Sequence, residues 1–252
     1  MTSTCLQWIR LGLLLAFLSL PALAANAKEV IPFYTYYDEP PYALDQPDNL
    51  TNKLASWLSA KSAGSYLFVP TYLPRKRLDM TVINQPQWLG VVAWANPKFF
   101  DDVNETRYRW SRTVTSDINL VVSHKAKPVN FSDAKSLYGL KVGAVFGRKL
   151  ADFEAEIQAG NIIREDAGTA LNNLLKLRVQ RIDATLISTS ALPYYRYRIP
   201  DLDQWLFIAP TPRAIVARSL FVDRSQEKLM QFLDRALLAL PSDPQWRNIV
   251  NP

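Results

Sequence analysis

The chain has 252 residues, 48% of them hydrophobic and 12% aromatic, which excludes a disordered protein and allows one large domain or two lobes. Its 29 lysine and arginine residues outnumber 23 aspartate and glutamate residues, but no basic run or recognition motif indicates nucleic acid as a partner. Cys5 and His124 are the only cysteine and histidine, so we expect no metal site, no other cofactor, and no Ser-His or Cys-His catalysis.

The first 24 residues have the pattern of a signal peptide. Arg10 precedes an apolar core from Leu11 to Leu20, which is too short to span a bilayer stably. Small residues allow cleavage after Ala24 or after Ala27. No cysteine follows the apolar core, so no lipid anchor is expected. We therefore expect a periplasmic protein, and a monomer.

Strands and helices alternate in the first part of the mature chain. A helical stripe of apolar residues from Leu50 to Leu58 separates the first two predicted strands. This order predicts a parallel sheet wrapped by helices. The predicted strands are Glu29 to Tyr37, Tyr66 to Tyr72 and Leu89 to Trp94, and Asn96 to Arg112 is predicted to be irregular.

A second block repeats this alternation. Its predicted strands are Ile118 to Ser123, Val142 to Phe146, a strand beginning at Ile162, and Ile182 to Ile187, with a helix from Ala170 to Leu177. The last predicted strands are Leu206 to Ala209 and Ile215 to Phe221. They precede a long helix from Leu229 to Leu240 and a short terminal helix from Trp246 to Val250.

The turn after Val142 to Phe146 is a candidate anion site. Gly147 breaks the strand, and apolar residues recur at helical spacing from Leu150 to Ile157, so a helix is predicted directly behind the glycine. The first amides of such a helix have no partner within it, and Arg148 and Lys149 add two cations beside them. We therefore predict ligand contacts at Gly147, Arg148 and Lys149. The alternative is an ordinary turn between a strand and a helix.

Four motifs in chain order resemble the extracellular solute-binding proteins of family 3, the amino-acid-binding group of periplasmic ABC-transport receptors. The third and fourth are specific in combination, whereas each alone is weak. The motifs are Pro40-Pro41-Tyr42, Trp110-Ser111 before Leu120-Val121-Val122, Ser136 to Gly143, and Ala170-Leu171 followed by Arg181-Ile182-Asp183-Ala184.

The resemblance implies an α/β fold of two lobes, the type II periplasmic-binding-protein architecture, with two crossing hinge strands and the ligand between the lobes. Lobe 1 is expected to comprise residues 28–117 and 210–252, and lobe 2 residues 118–209. Ligands of open α/β sheets lie beyond the carboxyl ends of the strands, which agrees with a cleft between two such edges. The expected partners are a small-molecule ligand and an ABC permease or a membrane sensor.

Two charges that the family uses for α-amino acids are missing at the corresponding positions. The resemblance places a carboxylate-binding arginine where this chain has Asn104, and an ammonium-binding aspartate where it has Ser188. An insertion could return Arg107 to the first position. Since an unpaired buried charge costs several kcal/mol, the usual mode of amino-acid binding is not expected.

Further candidate contacts lie at the ends of predicted strands. Tyr37, Glu39 and Tyr42 flank or follow the first strand, where they either contact ligand or pack the lobe. Trp94 ends the third strand beside Asn96, and it either faces the cleft or belongs to the core.

Polar residues near other strand ends complete the set. Arg75 and Arg77 follow the second strand, and helical spacing allows at most one of them to point inward. Ser188 is a further candidate contact. Asp166 is either a contact or a helix cap.

Three functions fit these features. The first is a non-catalytic periplasmic binding protein for a small polar or anionic solute. The second is a signalling or accessory protein on the same bilobed scaffold. The third is a periplasmic dehydratase-type enzyme, for which Glu39 is the evident general acid.

Overall fold

The computed structural model describes residues 28–211, 213, 215–244 and 246–247. The predicted signal peptide and most of the predicted terminal helix lie outside these residues. The strands are β1 Glu29–Thr35, β2 Tyr66–Tyr72, β3 Val91–Ala95, β4 Tyr108–Trp110, β5 Thr115–His124, β6 Lys141–Val145, β7 Ile163–Ala167, β8 Ala184–Ser188, β9 Leu206–Ile208 and β10 Ile215–Asp223. The helices are α1 Leu50–Lys61, α2 Arg75–Leu78, α3 Glu154–Gln158, α4 Ala170–Arg178, α5 Leu192–Arg198, α6 Leu202–Trp205 and α7 Glu227–Ala239.

The strands form one continuous sheet in the order β2-β1-β3-β10-β5-β8-β6-β7, with β4 also paired to β10 and β9 to β5. In lobe 1, β1 runs parallel to both β2 and β3, and β10 runs antiparallel to β3. In lobe 2, β6 runs parallel to β7 and β8, while β5 runs antiparallel to β8. Parallel strands whose connections include helices are typical of α/β lobes.

Two long strands cross between the lobes. Residues 115–118 of β5 pair with residues 215–218 of β10 in antiparallel register, so that Arg218 lies opposite Thr115 and Val216 opposite Asp117. The rest of β10 pairs with β3 and β4 of lobe 1, and the rest of β5 pairs with β8 and β9 of lobe 2. This two-stranded ribbon is therefore the hinge.

Each lobe has hydrophobic packing of its own. The lobe 1 cluster includes Phe33, Trp57 and Phe221, while Leu174 and Phe153 belong to two separate clusters in lobe 2. The buried residues of the first cluster lie at 31–108 and 220–246, and those of the other two lie at 121–209. Within the described part of the chain, no helix has both the length and the apolar character needed to cross a bilayer.

The segment of residues 96–112, predicted to be irregular, is organised around one buried carboxylate. It contains β4, and Asp102 accepts hydrogen bonds from the amides of Thr106 and Tyr108 and from the indole of Trp110. Burial alone would raise the pKa of Asp102, but these bonds lower it below its usual value. The sequence did not indicate β4 because one buried carboxylate, rather than an apolar pattern, organises the segment.

The helix predicted directly after Gly147 is absent, and the short α3 begins only at Glu154. The carbonyls of Val145 and Arg148 accept hydrogen bonds from Arg164 of β7. Those carbonyls are thus engaged by a side chain, and the residues after the glycine remain a turn. The predicted cradle of free helix amides therefore does not form in this structure.

Candidate functional site

A cavity lies between the lobes, at the carboxyl ends of β1, β3, β6 and β8 and beside the hinge ribbon. It leaves about 170 Å³ for the centres of water-sized molecules. That is room for on the order of ten waters, or for one small solute. The position agrees with the rule that ligands of open α/β sheets bind beyond the strand ends.

The cavity wall is rich in positive charge. Among the described residues, it carries six cationic side chains and two carboxylates, and both carboxylates are engaged by basic side chains of the wall. The cations are Arg75, Lys98, Arg148, Lys149, Arg213 and Arg218, and the acids are Glu39 and Asp152.

Arg148 joins the two lobes. Its guanidinium donates to the Tyr36 carbonyl at 2.9 Å, to Glu39 Oε1 at 3.2 Å, and to the Asp38 carboxylate. The Tyr195 hydroxyl of lobe 2 donates to the other oxygen of Glu39. We call Asp38, Glu39, Arg148 and Tyr195 the cross-lobe cluster.

The charges of this cluster support one another. Burial alone would lower the pKa of Arg148, but Glu39 and Asp38 raise it above the ordinary arginine value. Burial, followed by the charge of Glu39, raises the pKa of the Tyr195 hydroxyl well above the ordinary tyrosine value. Arg148 is therefore held as a cation and Tyr195 as a neutral donor.

The turn that carries Arg148 lies directly on lobe 1. Gly147 has φ +79°, and a Cβ at that position would lie 2.9 Å from the backbone nitrogen of Lys76. A larger residue would need both a strained backbone and a shift of lobe 1. Gly147 therefore serves the close approach of the lobes, and it does not line the cavity.

Two further ion-pair groups lie around the cavity. Lys149 pairs with Asp101 across the lobes. Asp152 pairs with Arg213 and, at 3.7 Å, with Lys98. Asp101 is mostly exposed, so the pair with Lys149 contributes little stability, whereas Asp152 is about half exposed and its partner Arg213 is mostly buried.

Arg218 contrasts with the other cations of the wall. It lies on β10 in the hinge, its side chain is 2% exposed, and among the described residues it has no carboxylate within ion-pair distance. Its Nη1 donates to the Tyr37 hydroxyl, and its Nε has no hydrogen-bond partner in the described part of the chain.

Aromatic rings surround the Arg218 guanidinium. Its central carbon lies 5.0, 5.8 and 5.7 Å from the ring centres of Tyr37, Tyr42 and Phe99. Burial alone would lower the pKa of Arg218, but the neighbouring tyrosines, with Tyr37 the strongest, and Asp117 raise it above the ordinary value. Cation–π contacts of this kind contribute about 0.5–2 kcal/mol but do not neutralise the charge.

Arg148 and Arg218 share the Tyr37 ring. The guanidinium carbon of Arg148 lies 4.8 Å from the ring centre, a distance similar to that of Arg218. A third guanidinium, that of Arg75, lies 3.8 Å from the Phe100 ring and pairs with Asp79. Each of these three guanidinium groups therefore lies against at least one aromatic ring.

Two predicted contacts on the wall also fix nearby backbone or side chains. The Asn96 amide donates to the Ala217 carbonyl at 3.0 Å and so ties the end of β3 to the hinge. The Ser188 hydroxyl lies 3.2 Å from that of Ser190 at the end of β8. Both residues line the cavity.

Four residues predicted as ligand contacts lie off the cavity wall, namely Gly147, Tyr42, Trp94 and Arg77. Trp94 is fully buried, and its indole donates to the Thr51 hydroxyl at 2.8 Å while its ring packs on Tyr42 at 4.8 Å. Arg77 is exposed, and Arg75 takes the inward position instead. For Trp94, the core alternative is therefore the one observed.

The remaining candidates have structural partners elsewhere. Asp166 pairs with Arg164, and Thr169 rather than Asp166 caps α4. Arg107 donates to the Phe100 carbonyl and is not on the cavity wall, so the insertion alternative does not bring it into the cavity.

The other predicted contacts, Tyr37, Glu39, Asn96, Arg148, Lys149 and Ser188, line the cavity. Arg218 was missed because it lies inside the apolar run predicted as the last strand. A lone arginine in a strand that is otherwise apolar was the available signal, since arginine is rarely buried without a partner.

Comparison by sequence finds no matching family model and no matching curated protein. Comparison by structure finds similar folds. A mutant of ArgBP from T. maritima superposes with a TM-score of 0.69 at 14% identity, covering 88% of this chain and 93% of that one. An ancestral arginine-binding protein bound to arginine gives a TM-score of 0.69 at 14% identity, covering 88% and 97%.

A third similar structure is the GluR0 ligand-binding core from Nostoc punctiforme in complex with L-glutamate. Its TM-score is 0.67 at 10% identity, and the superposition covers 88% of this chain and 97% of that one. Identities this low establish the fold alone. The two-lobed fold class implied by the sequence motifs is thereby confirmed.

Proposed function

We propose that this protein is a periplasmic solute-binding protein that closes two lobes around a small polar or anionic solute without transforming it. The observation that carries the proposal is the cavity between the lobes, whose wall has six cationic side chains against two carboxylates. Proteins of the same fold include one bound to arginine and one in complex with glutamate. An excess of fixed positive charge in a recessed cavity favours an anionic guest.

Standard α-amino acids are not the proposed ligands in the family's usual mode. Asn104, at the position of the expected arginine, is exposed and off the cavity wall. Ser188, at the position of the expected aspartate, is on the wall but carries no charge. Neither charge of a zwitterion therefore meets its usual partner at these positions.

Lobe closure is the proposed response to the ligand. The cross-lobe cluster forms only when the lobes approach, because Arg148 and Tyr195 belong to lobe 2 while Asp38 and Glu39 belong to lobe 1. A solute that contacts both walls binds the closed state better and so shifts the population toward it.

A permease is the proposed partner, because one protein of the same fold is the substrate-binding protein of an amino acid ABC transporter. A membrane sensor is the alternative partner. Nothing in the geometry favours a dehydratase, since both oxygens of Glu39 already accept hydrogen bonds from Arg148 and Tyr195.

The test is a thermal-shift screen of the purified mature protein against anionic, neutral, zwitterionic and cationic solutes. Proton NMR of each mixture then follows the fate of the solute. We expect at least one polar or anionic solute to raise the melting temperature and to remain chemically unchanged. A ligand at 100 times its Kd stabilises the fold by about 2.7 kcal/mol. No stabilisation by any solute, or turnover of one, would contradict the proposal.

A further inference from the structure

The carboxylate partners of the cavity cations distinguish one arginine from the rest. Five of the six cations on the wall have a carboxylate within 4.0 Å. Arg218 is the exception among the described residues. Its hydrogen-bond acceptor among those residues is the Tyr37 hydroxyl, and its Nε, like that of Arg148, is buried without a hydrogen-bond partner in the described part of the chain.

The nearby carboxylate of Asp117 does not fill this role. Asp117 is on β5, across the hinge ribbon from β10. Its two oxygens accept from the hydroxyls of Thr189 and Ser190 and from the amide of Ile118. Asp117 acts on Arg218 only at longer range, so the guanidinium remains without a directly bonded anion. A buried charge in this state is costly until an anion pairs with it.

Both acids of the wall already pair with basic side chains, so a ligand ammonium would compete with those cations. Glu39 accepts from Arg148 and Tyr195, and Asp152 pairs with Arg213 and Lys98. A ligand ammonium would also meet repulsion from the cations. By its charged side chains, the wall therefore favours a negative group over a positive one.

The rest of the wall near the hinge is partly apolar. Phe99, Val145, Leu150, Leu186 and Ile215 line the same cavity. Such a surface suits a hydrocarbon body that carries a single charged end.

We propose that Arg218 anchors the carboxylate of the solute, and that the solute is a small carboxylic acid without an amino group. This inference rests on the proposed solute-binding function and names the ligand class and the anchoring residue. A guanidinium can bind a carboxylate through two parallel hydrogen bonds. Because Arg218 lies on a hinge strand, the anchor stays at the base of the cavity whether the lobes are open or closed.

The test uses isothermal titration with two matched probe series. The carboxylates are isocaproate and phenylacetate, their neutral analogues are isocaproamide and phenylacetamide, and their amino-acid analogues are leucine and phenylglycine. We expect the wild-type protein to bind at least one carboxylate at least tenfold more tightly than its amide and its amino-acid analogue. That ratio is expected because a hydrogen bond to a charged group is stronger than one to a neutral group.

Arg218→Gln and Arg218→Lys separate the role of the anchor from a loss of folding. Arg218→Gln is expected to weaken carboxylate binding about 10- to 100-fold, and Arg218→Lys, which keeps the charge, to weaken it less. Arg77→Gln is the matched control, because Arg77 is exposed and off the wall. Circular dichroism melting shows which variants are folded, and the comparison uses the folded ones.

The outcomes distinguish this inference from the broader function. Equal binding of acid and amide, preference for the amino acid, no binding of either carboxylate, or unchanged affinity in both Arg218 variants would overturn the inference. If the wild-type protein still binds another solute of the wider screen, the solute-binding function stands. If no solute in the whole screen binds, both this inference and the solute-binding function are overturned.

Discussion

Arg148 and Arg218 are two arginines that face one cavity and share one tyrosine ring, yet they have opposite surroundings. Arg148, at the junction of the lobes, is held by two carboxylates of the facing lobe and a backbone carbonyl. Arg218, in the hinge, has only the Tyr37 hydroxyl as a hydrogen-bond acceptor within the described residues. Arg148 is thus paired with carboxylates of the protein, whereas we infer that Arg218 takes its anion from the ligand.

We infer from this difference that the position of a cation at a strand end is not enough to identify a ligand contact. Arg148 has the more suggestive sequence context, after a strand and a glycine. Its charge is nevertheless used to hold the lobes together. The presence or absence of a partner, rather than burial or charge alone, assigns the two roles.

Removing the packing that holds the hinge strand should have the largest effect. Phe221, three residues after Arg218, is fully buried, with ring centres of Phe100, Tyr108 and Trp110 at 4.7, 4.7 and 4.6 Å. We expect Phe221→Ala to lower the free energy of unfolding by about 3–5 kcal/mol. Urea denaturation measures this. A loss below about 1 kcal/mol would show that β10 is not held by this cluster.

Removing Arg148 should open the lobes. Arg148→Ala leaves Asp38 and Glu39 without their cation in the closed state, which costs about 2–5 kcal/mol of closure free energy. That is enough to make a predominantly closed population predominantly open. Small-angle X-ray scattering should then show a larger radius of gyration. An unchanged radius of gyration would show that Arg148 does not hold the lobes closed.

Tyr195→Phe tests the same cluster through a single hydrogen bond. Loss of the bond to charged Glu39 should cost the closed state about 1.5–3 kcal/mol at neutral pH. Because the folded state raises the pKa of Tyr195, this advantage is complete below the unfolded-state value near 10 and is lost as the pH rises through the folded pKa. Denaturation of the wild type and of Tyr195→Phe across pH 7–12 measures the difference between their free energies of unfolding, which should not grow with pH.

Tyr37→Phe tests the surroundings of Arg218 in the hinge. It removes the hydroxyl acceptor of Arg218 Nη1 and keeps the ring between the two arginines. Stability without ligand should fall by about 1 kcal/mol. Carboxylate affinity should not fall, because the guanidinium then has one more donor free for the ligand. A tenfold weaker carboxylate affinity by titration would mean that the tyrosine, not Arg218, is the main contact.

Lys149→Ala should have the smallest effect. Lys149 also links the lobes, but its partner Asp101 is mostly exposed. Exposed pairs contribute about 0.2–1 kcal/mol, and that contribution falls further with salt. Scattering and denaturation should therefore resemble the wild type. A lobe opening as large as that of Arg148→Ala would show that burial does not separate the two cross-lobe pairs.

The fold could be predicted from the sequence because its signals are local. Apolar runs such as Val91 to Ala95 and Val142 to Val145 identify strands, and their alternation with helical stripes predicts parallel sheets. The order of the four family-like motifs then implied two lobes and crossing strands. Each of these inferences needs only neighbouring residues or their order along the chain.

The candidate site was less accessible because its interactions are long-range. Arg148 was predicted to lie in the cleft, but its partners Asp38 and Glu39 lie 110 and 109 residues away along the chain. The helix after Gly147 was predicted from apolar spacing, and Arg164 on another strand engages the carbonyls there. Arg218 was read as part of an apolar strand. Partners of this kind become visible only when the lobes are assembled.

The most direct measurement is a crystal structure of the wild-type protein with the carboxylate that raises its melting temperature most. We expect the two carboxylate oxygens to lie within hydrogen-bond distance of the Arg218 guanidinium, and the cross-lobe cluster of Arg148 to remain intact beside them. A solute bound between the lobes with its carboxylate on Arg148, or with no contact to Arg218, would contradict it.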